Sequence, residues 1–551
     1  MNATMMPYPL TLTHILERSG KLFQKSKIVS RMPDRSLQRH TYDDFYRYAR
    51  ALAEGLTRLG LVRGDRVATL MWNHYFHLGA YFGIPAAGGV VHTLNLRLSP
   101  MDLSLIANHA GDRFLIVDDV LLPLYEKLRA ATKFERVIVV PLTGQPVAKE
   151  FVDCEALLRE SVNDLTYPDL DEREGAAMCY TSGTTGVPKG VLYSHRALVL
   201  HSLAMLFADC AALAERDVIL PVVPMFHANA WGLPFAAPLV GARLVFPGPH
   251  LDPESLLDLA EQERVTIAAG VPTVMMGIAD AVEKYAGRWK LLPGLRLMVG
   301  GAAPPEALIR RLDKHGIRLV HAWGMTEATP LATWCNPMPQ MECWDADAKY
   351  EVRSRQGRPL PFVDLRGVGA EGEVPWDGKT PGELQLRGPW IASSYFNPPD
   401  EQSKWSDDGW FRTGDVATID PDGYVRIRDR SKDIIKSGGE WISSVDLENA
   451  LMAHPAVAEA AVIAVFHPKW QERPLAVVVL REGVTATAQE LRELLADRFA
   501  RWQIPNAFVF VQEIPHTSTG KMFKAQLRER FKDLSADAES HFACRCLDTM
   551  A

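Results

Sequence analysis

Apolar residues recur along the chain with two periods, and their alternation predicts the architecture. Over residues 41–59, Phe45, Tyr48, Ala49, Leu52, Leu56 and Leu59 repeat at helical spacing behind Thr41 and Asp44, a capping signature. A short apolar strand over residues 67–70 follows. Helix-period and strand-period segments keep alternating to about residue 320, which predicts layered α/β structure with largely parallel sheets. Near Gly382 the pattern shifts to short strands and turns. Residues 416–419 and 424–427 flank Asp420-Pro421-Asp422-Gly423, a strong turn sequence. The chain then restarts as a small unit. Strands over 460–465 and 475–480 precede a helix opened by Thr487 and Glu490, with Leu491, Leu494, Leu495 and Phe499 on its inner face. The expected fold class is α/β. A large N-terminal domain of layered sheets and helices spans residues 1–429, and a small α+β C-terminal domain spans 430–551. No internal repeat or low-complexity stretch interrupts them.

The length of 551 residues agrees, since it exceeds one ordinary core. The most apolar long window, 265–282, contains Gly270, Pro272, Gly277 and Asp280. It reads as a buried strand, a turn and a helix, and no segment reads as a membrane span. The first residues lack a basic start followed by an apolar run, so no signal peptide is expected. A net charge of −7 argues against a nucleic-acid-binding surface. Seven sparse cysteines, with no CxxC pair and no HExxH helix, suggest no cysteine or histidine metal site and fit a reducing, cytoplasmic location. Cys544 and Cys546 are expected to be tail thiols without a role.

Chemistry enters with Tyr180-Thr181-Ser182-Gly183-Thr184-Thr185-Gly186-Val187-Pro188-Lys189-Gly190. Its hydroxyls can donate to phosphate oxygens, its glycines allow close backbone approach, and Lys189 adds positive charge. It matches neither GxxxxGK[ST] nor GxGxxG. On residue types alone it is also a flexible surface turn. Further motifs follow in order. Gly300-Gly301-Ala302-Ala303-Pro304 ends an apolar strand. Trp323-Gly324-Met325-Thr326-Glu327, preceded by Ala322, joins an aromatic face to a hard oxygen ligand. Gly409-Trp410-Phe411-Arg412-Thr413-Gly414-Asp415 ends in a carboxylate able to accept two hydroxyls. Charged segments surround Arg430, Lys432 and Lys436, then Gly438, Gly439 and Trp441. Pro515-His516-Thr517-Ser518-Thr519-Gly520-Lys521 ends in a cation. Taken singly, each has a plain reading: a core tryptophan, a surface acid, a turn aspartate, a charged linker, a surface lysine.

Together, in this order and over residues 10–530, these segments resemble the adenylate-forming superfamily of acyl-CoA synthetases, firefly luciferase and peptide-synthetase adenylation domains. The resemblance implies that the loop at 180–190 grips the ATP phosphates through Thr181, Ser182, Gly183, Thr184, Thr185, Gly186 and Lys189, with Thr184 counted as catalytic. It implies that Gly301, Ala302, Ala322 and Trp323 hold the adenine and that Thr326 meets the α-phosphate. Glu327, assisted by Thr181, would bind Mg2+. Asp415 and Arg430 would hold the ribose, with Lys432, Lys436 and Trp441 also on the nucleotide side. Lys521 is implied as the catalytic lysine, on a small mobile domain that reorients so that Gly438 and Gly439 line the coenzyme A channel. His516 departs from the arginine common in the family.

Pro224-Met225-Phe226-His227-Ala228-Asn229-Ala230-Trp231-Gly232 is similar to a segment of bacterial medium- and long-chain fatty acyl-CoA synthetases. It implies that His227 borders the acyl carboxylate, that Trp231 gates a fatty-acid tunnel and that Gly300 lines the acyl pocket. The implied activity is an AMP-forming fatty acid–CoA ligase, acting on a fatty acid, ATP and coenzyme A. A homodimer is implied by a dimeric relative, and peripheral membrane contact stays open. The 3-methylmercaptopropionyl-CoA ligases share much of this text, so a short-chain acid is an alternative. So are loading of a separate carrier protein and non-catalytic nucleotide binding. About thirty residues follow Lys521, which argues against a fused carrier domain.

Overall fold

The computed structural model describes residues 4–162, 164–181, 188–398, 404–430, 433–437, 440–517 and 520–532, with backbone alone for Glu440 and Trp441. Within these residues, two large sheets and their helices make the bulk of the molecule. In the nine-stranded sheet, Arg243–Phe246, Val218–Pro221, Ile267–Gly270, Arg296–Val299 and Arg318–Gly324 run parallel in that spatial order. Lys27–Arg31 extends this run in parallel, and Leu37–Thr41 and Leu331–Trp334 join it antiparallel. A seven-stranded sheet is parallel through Gly175–Tyr180 and closes with antiparallel Gly190–Ser194. The alternation to residue 320 thus gives the expected parallel layers.

The helix predicted at 41–59 spans Tyr42–Arg58, and Thr41 and Asp44 form a reciprocal capping box. Its apolar stripe is buried, with Phe45, Leu52 and Leu56 fully enclosed. The apolar window at 265–282 is the strand Ile267–Gly270 and the helix Pro272–Lys284. No helix among the described residues is long and apolar enough to cross a membrane.

The change of pattern near Gly382 marks an antiparallel five-stranded sheet. Its strands Phe411–Ile419 and Val425–Arg430 pair across the predicted turn, Ile419 opposite Val425. Asp420 closes that turn by accepting from the N–H groups of Asp422 and Tyr424. A second five-stranded sheet follows, built on the pairing of Val457–His467 with Gln471–Leu480. It has cores of its own, one centred on Ile435, Leu447, Leu491 and Leu495. Thr487 and Glu490 cap the helix Ala488–Ala496 as expected, while Leu494 stays half-exposed.

Strand Val425–Arg430 belongs to the first of these sheets, and Ile435–Ser437 opens the second. Polar contacts join the two sides. The Asp429 carboxylate accepts from the Ser444 N–H at 2.8 Å and hydroxyl at 2.5 Å, and Asp446 pairs with Arg426 and Arg428.

Candidate active site

The C-terminal ends of parallel strands point their loops to one side of the sheet, and the candidate residues gather there. Strand Arg318–Gly324 delivers Trp323, and the turn Thr326–Ala328 follows it. Glu327 is 5% exposed, not a surface acid. It accepts a 2.6 Å hydrogen bond from the Tyr395 hydroxyl, and its carbonyl accepts from Ala392 N–H. Burial and the neighbouring Glu327 charge push the Tyr395 phenol well above its ordinary range. Lys189 sits over the Tyr395 ring, with Nζ 4.9 Å from its centroid. The carbonyl of Thr326 accepts from the Tyr193 hydroxyl at 2.7 Å.

Asp415 lies inside strand Phe411–Ile419, also buried. One carboxylate oxygen accepts from Arg430 Nε at 3.0 Å and the other from Trp323 Nε1 at 3.2 Å. An ionised carboxylate has about four acceptor positions, and two are used by donors among the described residues. The Asp415 charge holds the Arg430 guanidinium above its ordinary pKa.

Lys521 arrives from the C-terminal unit. Thr517 N–H donates to the Lys521 carbonyl, and Lys521 N–H donates to Thr517 Oγ1, so the loop is a tight turn. Gly520, at φ 79°, lies against Val271 and Thr273. The lysine side chain faces Gly301, where a Cβ would lie 3.8 Å from Lys521 Cε. Burial, aided by the Arg430 cation, lowers its pKa to about 8, against the pull of Asp415 and Glu327. His516, the departure from the expected arginine, bonds Glu459 Oε1 at 2.6 Å, and that bond raises its pKa.

The residues expected on the acyl side form a second group. Thr181 and His227 line one crevice, with Thr93, Asn95 and Tyr180. Burial pulls the His227 imidazole down to about 3, with Lys521 and Arg97 acting in the same direction, so it is neutral at pH 7. After His227 the backbone turns left-handed: Ala228, Asn229, Ala230 and Trp231 all have φ between 42° and 57°. Each non-glycine residue there costs roughly 1–2 kcal/mol. The turn buries Trp231 against Gly300, where a Cβ would lie 3.3 Å from the indole and 2.8 Å from the Ala322 carbonyl.

Two features escaped sequence reasoning. Tyr395 links Glu327 to Lys189, yet only an aromatic pair before Asn397-Pro398 marked it. The left-handed turn had no sequence signal, since alanine and tryptophan seldom adopt it. Lys436 does not join the cluster: its side chain is exposed and forms no hydrogen bond or ion pair among the described residues. Ser182, Gly183, Thr184, Thr185, Gly186, Lys432, Gly438, Gly439, Cys544, Cys546 and the Trp441 side chain lie outside the described residues.

Residues 18–396 match the model of the AMP-binding enzyme family, and 446–521 match that of the AMP-binding enzyme C-terminal domain. The chain belongs to the AMP-binding enzyme family. Among its relatives, the long-chain-fatty-acid–CoA ligase of Thermus thermophilus is 50% identical, over 97% of this chain and 98% of that protein. The 3-methylmercaptopropionyl-CoA ligase of Ruegeria pomeroyi is 44% identical, over 97% and 99%. The fold matches the crystal structure of the anthranilate CoA ligase AuaEII in complex with anthranoyl-AMP, with TM-score 0.84 and 25% identity, over 97% and 99% of the two chains.

Proposed function

We propose that this AMP-binding enzyme is an AMP-forming fatty acid–CoA ligase for medium- to long-chain acids. The observation that supports the reading is Lys521: half-buried, facing Gly301, and subject to the Asp415 and Glu327 carboxylates and the Arg430 cation. A cation there suits the meeting of a carboxylate and an α-phosphate, because crowded negative charge is what such a step must neutralise.

In the first half-reaction a carboxylate oxygen of the acid attacks the α-phosphorus, and the bond to pyrophosphate breaks. Asp415 offers its open acceptor positions to the ribose, Trp323 borders the adenine with Gly301, Ala302 and Ala322, and the Thr326 hydroxyl meets the α-phosphate. Neutral His227 donates to the acid's carboxylate. In the second, the thiol sulfur of coenzyme A attacks the acyl carbonyl, AMP leaves and the thiol proton passes to solvent. Rotation of a mobile domain, residues 430–551, against residues 1–429 separates the steps.

Mg2+ suits the donor set. Glu327 is a buried carboxylate with no cationic side chain paired to it among the described residues, and Thr181 adds a hydroxyl. Mg2+ commonly takes one or two carboxylates together with substrate phosphates. When bound by Glu327 and Thr181, it would neutralise phosphate charge. A cytoplasmic homodimer completes the proposal.

The 44% identity to a 3-methylmercaptopropionyl-CoA ligase favours a short methylthio acid as second reading. The test is acyl-CoA formation from ATP, coenzyme A and acids of two to eighteen carbons, with methylthiopropionate included. A maximum between eight and sixteen carbons is expected. A maximum at methylthiopropionate selects the second reading. AMP release that needs a separate carrier protein, or no AMP release at all, refutes both.

A further inference from the structure

The groups expected at the ATP phosphates come from two stretches of chain. One lies where the strands Gly175–Tyr180 and Gly190–Ser194 meet, with Tyr180 opposite Gly190. There Thr181 N–H donates to the Lys189 carbonyl at 2.9 Å, and Lys189 N–H donates to Thr181 Oγ1 at 3.1 Å. The other is the segment 392–397, which holds Glu327 through Ala392 N–H and the Tyr395 hydroxyl. The two stretches touch. Phe396 N–H donates to the Gly190 carbonyl at 2.8 Å, and Lys189 Nζ lies over the Tyr395 ring. The placing of Thr181 and Lys189 against Glu327 therefore depends on how firmly these stretches are held together.

A third element ties them. The helix Pro100–Ala110 carries His109 in its last turn, half-buried. His109 Nε2 lies 2.9 Å from the Asn397 carbonyl oxygen, and Nδ1 lies 2.7 Å from the Tyr180 hydroxyl. A carbonyl only accepts, so Nε2 carries the ring proton, and in the neutral ring Nδ1 is an acceptor. Burial pushes the Tyr180 phenol well above its ordinary range, so it keeps its proton and donates it to Nδ1. One tautomer thus satisfies both partners. The imidazole also stands edge-on to Tyr180 and Phe396, with ring centroids 5.8 and 6.2 Å away. An apolar side chain of similar size would fill that space and tie neither stretch.

We propose that His109 is a positioning residue for adenylation: it fixes the Tyr180–Gly190 strand ends against segment 392–397, and so sets Thr181 and Lys189 against Glu327 for the phosphates of ATP. The proposal deepens the nucleotide-site reading and rests on it. It also predicts which half-reaction suffers. An acyl-adenylate carries only the α-phosphate, so groups set for the pyrophosphate side matter in the first step and not in the second.

The test measures both half-reactions with the acid that the chain-length series selects, in the wild type, His109→Leu, His109→Gln, Tyr180→Phe and Lys189→Ala. A misplacement of about 1 Å costs on the order of a hundredfold, so His109→Leu should lower kcat/KM for ATP in adenylation by at least about tenfold. Thioester formation from supplied acyl-adenylate should stay within about threefold of wild type. Glutamine presents one donor and one acceptor on its carboxamide, so His109→Gln should return adenylation to within about threefold of wild type. Tyr180→Phe removes one tie alone and should lower adenylation by about threefold, which keeps the test open if His109→Leu folds poorly. Wild-type adenylation in His109→Leu or in Tyr180→Phe overturns the proposal. So do equal losses in both half-reactions, or glutamine no better than leucine. Lys189→Ala separates the two readings. Normal adenylation there refutes the nucleotide-site reading, whereas a loss there with His109→Leu unaffected refutes the proposal alone.

Discussion

On the side proposed to hold the nucleotide, Asp415 receives Arg430 and Trp323, and Glu327 receives Tyr395, each through a named hydrogen bond. On the side proposed to hold the acyl chain, Trp231, Gly300 and Ala322 meet through van der Waals contact, and a left-handed turn precedes them. The first arrangement depends on specific donor and acceptor atoms, so it constrains residue type closely. The second depends on shape, which many side chains can supply. Chemistry is therefore easier to read from this chain than substrate is.

The contrast can be broken most decisively at Lys521. Lys521→Ala should cut acyl-adenylate formation by about a hundredfold or more, the scale of losing a preorganised charge in a closed site. Thioester formation from supplied acyl-adenylate should be largely spared. Single-turnover assays of each half-reaction check this, and equal losses in both would remove Lys521 from its assigned place.

A smaller effect comes from pH. Lys521 must be protonated to neutralise charge, and its pKa is lowered to about 8. The protonated fraction is full well below pH 8 and falls as pH rises through it. The kcat/KM for adenylation should drop about tenfold per pH unit above 8. Lys521→Arg keeps its charge there, so its residual activity should lack that fall.

The smallest expected effect is at Gly300. In Gly300→Ala the new methyl meets the Ala322 carbonyl and the Trp231 indole. Overpacking of this kind costs about 1–3 kcal/mol, measurable as a lower Tm. Activity should fall more for decanoate than for butyrate, since only the longer chain needs Trp231 to move. Equal losses on both acids would show that the acyl side is not organised by shape at this rung.

Local pattern carried much of the fold. The helix Tyr42–Arg58 and the turn at 420–423 follow from capping and turn chemistry that act over a few residues. The candidate site was legible wherever a motif holds charge or hydroxyls, as at Glu327, Asp415 and Lys521. Tyr395 was not legible, because its partners Glu327 and Lys189 lie 68 and 206 residues away and its own neighbours say nothing of them. Lys436 shows the converse: a motif position does not guarantee that its side chain reaches the cluster.

The sequence by itself determined the alternating layers, the separate C-terminal unit and the residue types of ATP chemistry, because periodicity, capping and charge are local. Only the tertiary structure decided that Glu327 is buried beside Tyr395, that burial lowers the Lys521 pKa to about 8, and that Trp231 lies against Gly300. Those properties depend on desolvation and on distances between strands remote in the chain, and neither quantity is written in any one segment.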